Sequence, residues 1–101
     1  MIRLISNERG DTALVEAYRT LRSNLQYVCN QQKCKLICIT AATSGEGTSE
    51  VAANTALALS KNNNKVLLID GNLRNPVQHL AFNVQNKGLT NAVMMDEDLT
   101  I

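Results

Sequence analysis

Two uninterrupted apolar runs, at residues 36–39 and 66–69, stand on either side of a glycine-containing loop and an alanine-rich segment. Neither run alternates with polar residues, a pattern typical of parallel strands that are covered on both faces. A strand, a helix and a second strand therefore follow one another over residues 35–70, and such a βαβ unit closes right-handed into a parallel pair. This succession predicts an α/β fold built on a parallel sheet.

The loop between the first run and the alanine-rich segment follows the pattern of a phosphate-binding loop, G-x-x-x-x-G-K-[ST]. That pattern is informative only between a strand and a helix, which is its context here. Ala42 stands at the first glycine, Gly47 at the second, Thr48 at the lysine and Ser49 at the hydroxyl. Taken alone, Gly-x-Gly before a helix is a weak signal, and a flexible turn that binds no nucleotide is the alternative interpretation.

The loop keeps the backbone elements of a phosphate site and lacks its positive charge. Backbone N–H groups and the helix N-terminus attract phosphate, and a lysine normally adds a full charge. Lys35 begins the preceding strand and Lys61 ends the following helix, so neither replaces the lysine. Glu46 and Glu50 place negative charge close by. The sequence therefore predicts weakened phosphate binding.

The N-terminal third predicts a short apolar anchor and then an amphipathic helix over residues 12–29. The anchor consists of Ile2, Leu4 and Ile5. The apolar residues of the helix fall on one stripe; they are Leu14, Ala17, Tyr18, Leu21, Leu25 and Val28. A polar stripe lies about 150° away around the helix and is expected to face away from the core; it consists of Glu16, Arg19, Arg22 and Gln26.

Asp70 follows the second apolar run and is expected beside the loop. A carboxylate at this point typically orients Mg²⁺ or a nucleophile. The alternative is an aspartate that caps the following turn. Asn72 brings no charge to a metal, and Pro76 fits the first turn of a short helix.

Length and composition narrow the possibilities. The chain has 101 residues and a net charge of +1, which predicts one small domain and argues against a charge-driven nucleic-acid binder. Two strands with one or two more do not complete a doubly wound sheet. We therefore interpret residues 1–101 as a single partial, doubly wound parallel-sheet domain of the P-loop type, preceded by an amphipathic helix. The odd set Cys29, Cys34 and Cys38 does not suit a metal site and fits a reducing cytoplasm.

The motifs resemble those of the bacterial tyrosine kinases, P-loop proteins of capsular and exopolysaccharide biosynthesis. The resemblance is carried in order by residues 16–25, 44–49, 51–54, 66–76 and 88–91. It implies ATP or ADP with Mg²⁺ as cofactor. It also implies self-association, or binding to kinase subunits or to the cytoplasmic tail of a membrane activator, and a place at the inner face of the membrane.

The resemblance also implies residue roles. Asp70 would be catalytic, and Ser49 and Asp70 would hold the metal. The matched loop residues would bind the nucleotide; they are Ser44, Gly45, Glu46, Gly47, Thr48 and Ser49. The matched residues of an E-x-x-R-x-x-R motif would join subunits; they are Glu16, Arg19 and Arg22.

Four positions depart from the family pattern. Ser44 replaces proline, Thr48 replaces lysine, Asn72 replaces the second aspartate of D-x-D, and Thr55 stands where an apolar residue is usual. A later acidic motif and a tyrosine-rich tail do not appear in residues 1–101. The sequence therefore predicts a kinase-like domain with impaired catalysis. The alternatives are a non-enzymatic interaction module and, less favoured, a partitioning-type ATPase.

Overall fold

The computed structural model describes residues 4–5, 13–43, 45–62, 64–72 and 74–85. Three helices lie in these ranges. They are α1 (Ala13–Gln32), α2 (Thr48–Ser60) and α3 (Gln78–Ala81). The predicted helices at 12–29 and after the loop are confirmed, and α3 begins two residues after Pro76. The predicted segment at 88–95 lies outside the described residues.

Helix α1 extends three residues past its predicted end because the chain after it adopts a helix-terminating turn. Lys33 has a φ of 54°, in the left-handed region. The N–H of Cys34 then donates to the carbonyl of Cys29 over 3.0 Å. Numbered from the last helical residue Gln32, this is the six-to-one bond of a Schellman motif. The turn satisfies a carbonyl that the helix end would otherwise leave unpaired.

The core lies between α1, α2 and the N-terminal segment. Ile5, Val15 and Ala58 form its fully buried cluster. The partly buried residues packed against that cluster are Leu14, Tyr18 and Leu57. Leu4 and Ile5 are 7% and 3% exposed, which confirms the predicted apolar anchor at these two positions. Ile2 lies outside the described residues.

Asn54 fastens the N-terminal anchor to α2. Its side chain is fully buried, at 0% exposure. Its Oδ1 accepts a hydrogen bond of 2.7 Å from the backbone N–H of Ile5. A buried amide N–H that had no partner would carry a large desolvation cost. Asn54 therefore holds the anchor by a polar contact inside an apolar core.

The face that α1 turns toward α2 differs from the predicted stripe. Val15 is buried at 5% exposure, whereas Ala17 and Val28 are exposed. Arg22 is half-buried, and its Nη1 donates to the carbonyl of Ala58 at 3.4 Å. Gln26 accepts from the side chain of Asn62 at 3.2 Å. The prediction that Arg22 and Gln26 face away from the core is therefore wrong. Their long polar side chains instead reach the C-terminal end of α2 and the residues just after it.

Neither predicted strand is formed: residues 34–41 and 64–72 belong to no helix, and no strand ladder occurs within the described ranges. Leu36, Leu67 and Ile69 are 82%, 57% and 69% exposed. Both segments line an open cleft of about 1220 Å³ together with α1 and α2. The helical part of the βαβ unit is thus in place, and the parallel sheet stays a prediction.

Thr55 lies on α2 along this cleft. It is 3% exposed, and its hydroxyl has no hydrogen-bond partner among the described residues. A buried hydroxyl without a partner costs about 1–3 kcal/mol relative to an apolar group of the same shape. The polar residue at position 55 therefore lowers the stability of this part of the fold.

Candidate functional site

The loop before α2 turns sharply at its two glycines. Gly45 and Gly47 have φ values of 83° and 76°. A Cβ at either position would meet no atom within 4 Å. Glycine is therefore not required here by lack of space. It is favoured because the left-handed backbone conformation strains any residue that has a Cβ. Ser44, another of the six matched loop residues, lies outside the described residues.

Helix α2 starts directly from this turn. Gly47 is the N-cap residue and makes no side-chain capping bond. The first backbone bond of the helix runs from the N–H of Val51 to the carbonyl of Gly47, at 3.0 Å. The N–H groups of Thr48 and Ser49 precede it and have no acceptor within the helix. Together with the helix dipole, they give this end of α2 a partial positive charge that favours an anion.

The described residues of the loop, 41–43 and 45–49, include no lysine or arginine. Thr48 occupies the lysine position and is half-buried. Across the turn, the hydroxyl of Thr43 donates to the carboxylate of Glu46 at 2.7 Å. Glu50 lies in the first turn of α2. The loop therefore offers phosphate backbone dipoles beside two carboxylates.

Asp70 organises the segment that leads into α3. Its Oδ1 accepts from the N–H of Asn72 at 3.1 Å. Its Oδ2 accepts from the N–H groups of Val77 and Gln78 at 3.1 and 3.2 Å. The capping role, which was the alternative interpretation of this aspartate, is thus present in the structure. Such bonds to a carboxylate are charge-assisted and comparatively strong.

Gln78 connects the Asp70 segment to the loop helix. Its backbone N–H bonds Asp70, and its side-chain Nε2 donates to the carbonyl of Ser49 at 2.9 Å. Through these two hydrogen bonds, Gln78 holds Asp70 close to Ser49 at the N-terminal end of α2. Its other amide atom, Oε1, is buried without a hydrogen-bond partner among the described residues.

Gln78 was not singled out by sequence reasoning. A glutamine that follows Pro76 in a short helix matches no motif, and its contact with Ser49 joins positions 29 residues apart in the chain. The one sequence signal for Gln78 was its place two residues after Pro76, which indicated that it would lie in a short helix.

Glu16 and Arg19 form an exposed ion pair on α1. Arg19 Nη1 lies 2.5 Å from Glu16 Oε1, and the two side chains are 47% and 56% exposed. Arg22, the third residue of the matched motif, is turned toward α2 instead. The structure therefore keeps two of the three residues on an accessible face.

Within the described ranges, no group of three or more His, Cys, Asp or Glu side chains is arranged to hold a metal ion. No described helix combines the length and apolar character needed to cross a bilayer.

Comparison with known proteins gives the relationship that the motifs suggested. Over 80 residues, 78% of this chain, the sequence is 42% identical to tyrosine-protein kinase YwqD of Bacillus subtilis. Over 92 residues it is 32% identical to CapB of Staphylococcus aureus, which is named as a candidate tyrosine-protein kinase. Over 73 residues it is 34% identical to tyrosine-protein kinase Etk of Escherichia coli. The matched part of this chain belongs to the bacterial tyrosine-kinase family.

The relationship covers only part of these kinases. The chain spans 34% of the Bacillus protein, 40% of the Staphylococcus protein and 10% of the Escherichia protein. No family model and no solved structure matches the chain. The family relationship therefore rests on sequence similarity along this chain, and the activity of the whole kinases is not thereby transferred to it.

Proposed function

We propose that this chain is a nucleotide-binding, tyrosine-kinase-like P-loop domain of capsular or exopolysaccharide biosynthesis whose phosphoryl transfer is impaired. The observation that carries the proposal is the loop geometry. Two left-handed glycines, Gly45 and Gly47, lead into the uncapped N-terminus of α2. The first N–H groups of such a helix have no acceptor within the helix, and they suit the phosphates of ATP or ADP. Ser49 would supply a hydroxyl to Mg²⁺, and Asp70 would face the same end of the helix.

Three features support the impairment. Position 48 carries a neutral threonine, so the charge that would offset the phosphates is missing. Asn72 cannot serve as the second metal-binding carboxylate. Asp70 already accepts bonds from the N–H groups of Asn72, Val77 and Gln78. A role in proton or metal binding would compete with the bonds that hold the segment before α3.

A parallel sheet of the doubly wound P-loop type is part of the proposal. In such a sheet, the segments at 34–41 and 64–72 would be extended, pair with each other and be covered on both faces. Their exposed apolar side chains are what that arrangement would bury. Leu36, Leu67 and Ile69 are the clearest examples. Burying them would contribute roughly 1.5–3 kcal/mol for each side chain.

The impairment is tested by assaying phosphoryl transfer. The purified chain, given Mg-ATP, is expected to form no phosphotyrosine, because its loop lacks a cation to stabilise the transferred phosphoryl group. Mass spectrometry of the intact chain would detect an added phosphate, and peptide sequencing would locate it. Phosphotyrosine at Tyr18 or Tyr27 would overturn the proposed impairment.

The exposed Glu16–Arg19 pair favours a second candidate function, an interaction module without catalysis. Its partners would be kinase subunits, further copies of the chain, or the cytoplasmic tail of a membrane activator. Such a module would sit in the cytoplasm at the inner face of the membrane through that partner. It would need a stable α1 and no nucleotide.

Removing this ion pair tests the interface. A Glu16→Ala, Arg19→Ala variant is expected to lower the assembly mass toward that of the 11.1 kDa monomer, without loss of helicity. Light scattering measures the mass and circular dichroism the helicity. A charge-matched control, Glu46→Ala with Lys61→Ala, alters exposed residues outside α1 and should leave the mass unchanged. Equal masses for the variant and the unmodified chain would remove the basis for an interface at these residues.

A further inference from the structure

The turn that ends α1 places two cysteines together. In a Schellman motif, the residue three positions inside the helix end and the second residue after it are joined by the six-to-one bond, and their side chains commonly touch. These two residues are Cys29 and Cys34. The bond is present at 3.0 Å, and the left-handed residue between them is Lys33.

The two cysteines are also accessible neighbours on the surface of the open cleft. Cys29 and Cys34 are half-buried free cysteines, and both line the open cleft. Hydrogen bonding between the Cys29 thiol and the neighbouring Cys34 favours the neutral thiol and raises the pKa of Cys29 above its usual value. Cys38, by contrast, is exposed and lies further along the chain. The geometry therefore singles out one pair from the three possible.

We propose that Cys29 and Cys34 form a reversible intramolecular disulfide, which makes the end of α1 a redox-sensitive site. The oxidant would be a small disulfide of the glutathione type. One cysteine thiolate attacks a glutathione sulfur, forms a mixed disulfide and releases one glutathione thiolate. The second cysteine thiolate then attacks the protein sulfur of the mixed disulfide and releases the other glutathione. Two protein thiols are oxidised, and one glutathione disulfide is reduced to two thiols.

The bond would tie the last turn of α1 to the segment that enters the phosphate loop. A disulfide needs neighbouring Cα atoms and converging Cβ atoms. The left-handed residue at position 33 turns the chain back on the helix, where the N–H of Cys34 bonds the carbonyl of Cys29, and this turn would supply that convergence. Reduction would release the segment that carries Leu36 and Ile37 along the cleft.

Peptide mapping tests the pairing in the full chain. The chain is equilibrated in glutathione redox buffers, quenched with acid and digested with trypsin, which cuts after Arg22, Lys33, Lys35 and Lys61. Each cysteine then lies on a different peptide: residues 23–33, 34–35 and 36–61. The expected product links 23–33 to 34–35 and predominates over both alternatives by about tenfold or more. Predominance of any link to Cys38, or of links between chains, would overturn the proposal.

A second set of variants tests the turn geometry rather than proximity in sequence. In a Cys38→Ser background, intact mass reports the Cys29–Cys34 bond as the loss of two hydrogens. Lys33→Gly adopts the left-handed conformation without strain. The glutathione midpoint, which is the redox-buffer composition at which half of the chain carries the disulfide, should therefore stay unchanged or shift in favour of the disulfide. Lys33→Val disfavours that conformation, so the disulfide should form with about tenfold lower equilibrium preference. Equal midpoints for the glycine and valine variants, or equal midpoints in buffer and in urea, would contradict a pair held by the fold.

Discussion

A Thr48→Lys, Asn72→Asp variant is expected to bind Mg-ATP at least about a hundredfold more tightly than the unmodified chain. The lysine would place a full charge beside the phosphates, at the end of α2 where the N–H groups already point. A unit charge about 4 Å from a phosphate oxygen is worth about 4 kcal/mol at an effective dielectric near 20. The aspartate would add a carboxylate for Mg²⁺ two residues after Asp70.

Calorimetric titration of Mg-ATP and Mg-ADP measures this effect. Thr48→Gln is the matched control, since it adds a long polar side chain without the charge, and it should not restore binding. Asn72→Asp alone separates the metal contribution from that of the lysine. If the variant and the unmodified chain bind equally well, the charge at position 48 is not what limits the site. If neither binds, the loop of this chain does not form a nucleotide site by itself.

An Asn54→Ala variant is expected to lose about 2–3 kcal/mol of unfolding free energy, because it combines a lost buried hydrogen bond with a new cavity. The side chain is completely buried, and its Oδ1 accepts the 2.7 Å bond from the N–H of Ile5. Alanine would leave that N–H buried without its partner and would open a cavity beside Ile5. The N-terminal anchor should then detach, exposing Leu4 and Ile5.

Urea unfolding followed by far-UV circular dichroism gives the free energy. Asn62→Ala is the matched control, because Asn62 is also an asparagine with a side-chain bond, to Gln26 at 3.2 Å, but is exposed. That control should change the free energy by about 0.5 kcal/mol or less. A similar loss in both variants would show that burial of the Asn54 amide does not decide its effect.

Local patterns predicted the helices and the anchor well. Helix α2 follows from an alanine-rich segment after glycines, and α1 from its periodic leucines. Leu4 and Ile5 were expected to anchor because they are apolar residues close to a helix start. These features depend on neighbours within a few residues, which a sequence displays directly.

The orientation of α1 was predicted less well. The periodicity located an apolar stripe but not its centre, so Val15 was missed and Arg22 was assigned to the outer face. The reason is that α2 presents a small residue at the contact, Ala58, which is 2% exposed. A long arginine side chain can lie across such a surface and bond a backbone carbonyl, which its charge alone does not indicate.

The loop pattern, the missing lysine at position 48 and the family relationship are all readable from the order of residues, because they depend on residue type and short spacing. The burial of Asn54, the capping bonds of Asp70 and the Gln78 contact with Ser49 are not, because each joins residues through the packing of separate segments. The cysteine pair lies between the two cases: its spacing is in the sequence, but the left-handed turn at Lys33 brings the thiols together. The chemistry of a side chain is fixed by its residue type, whereas the group that it contacts is fixed by the tertiary packing of the chain.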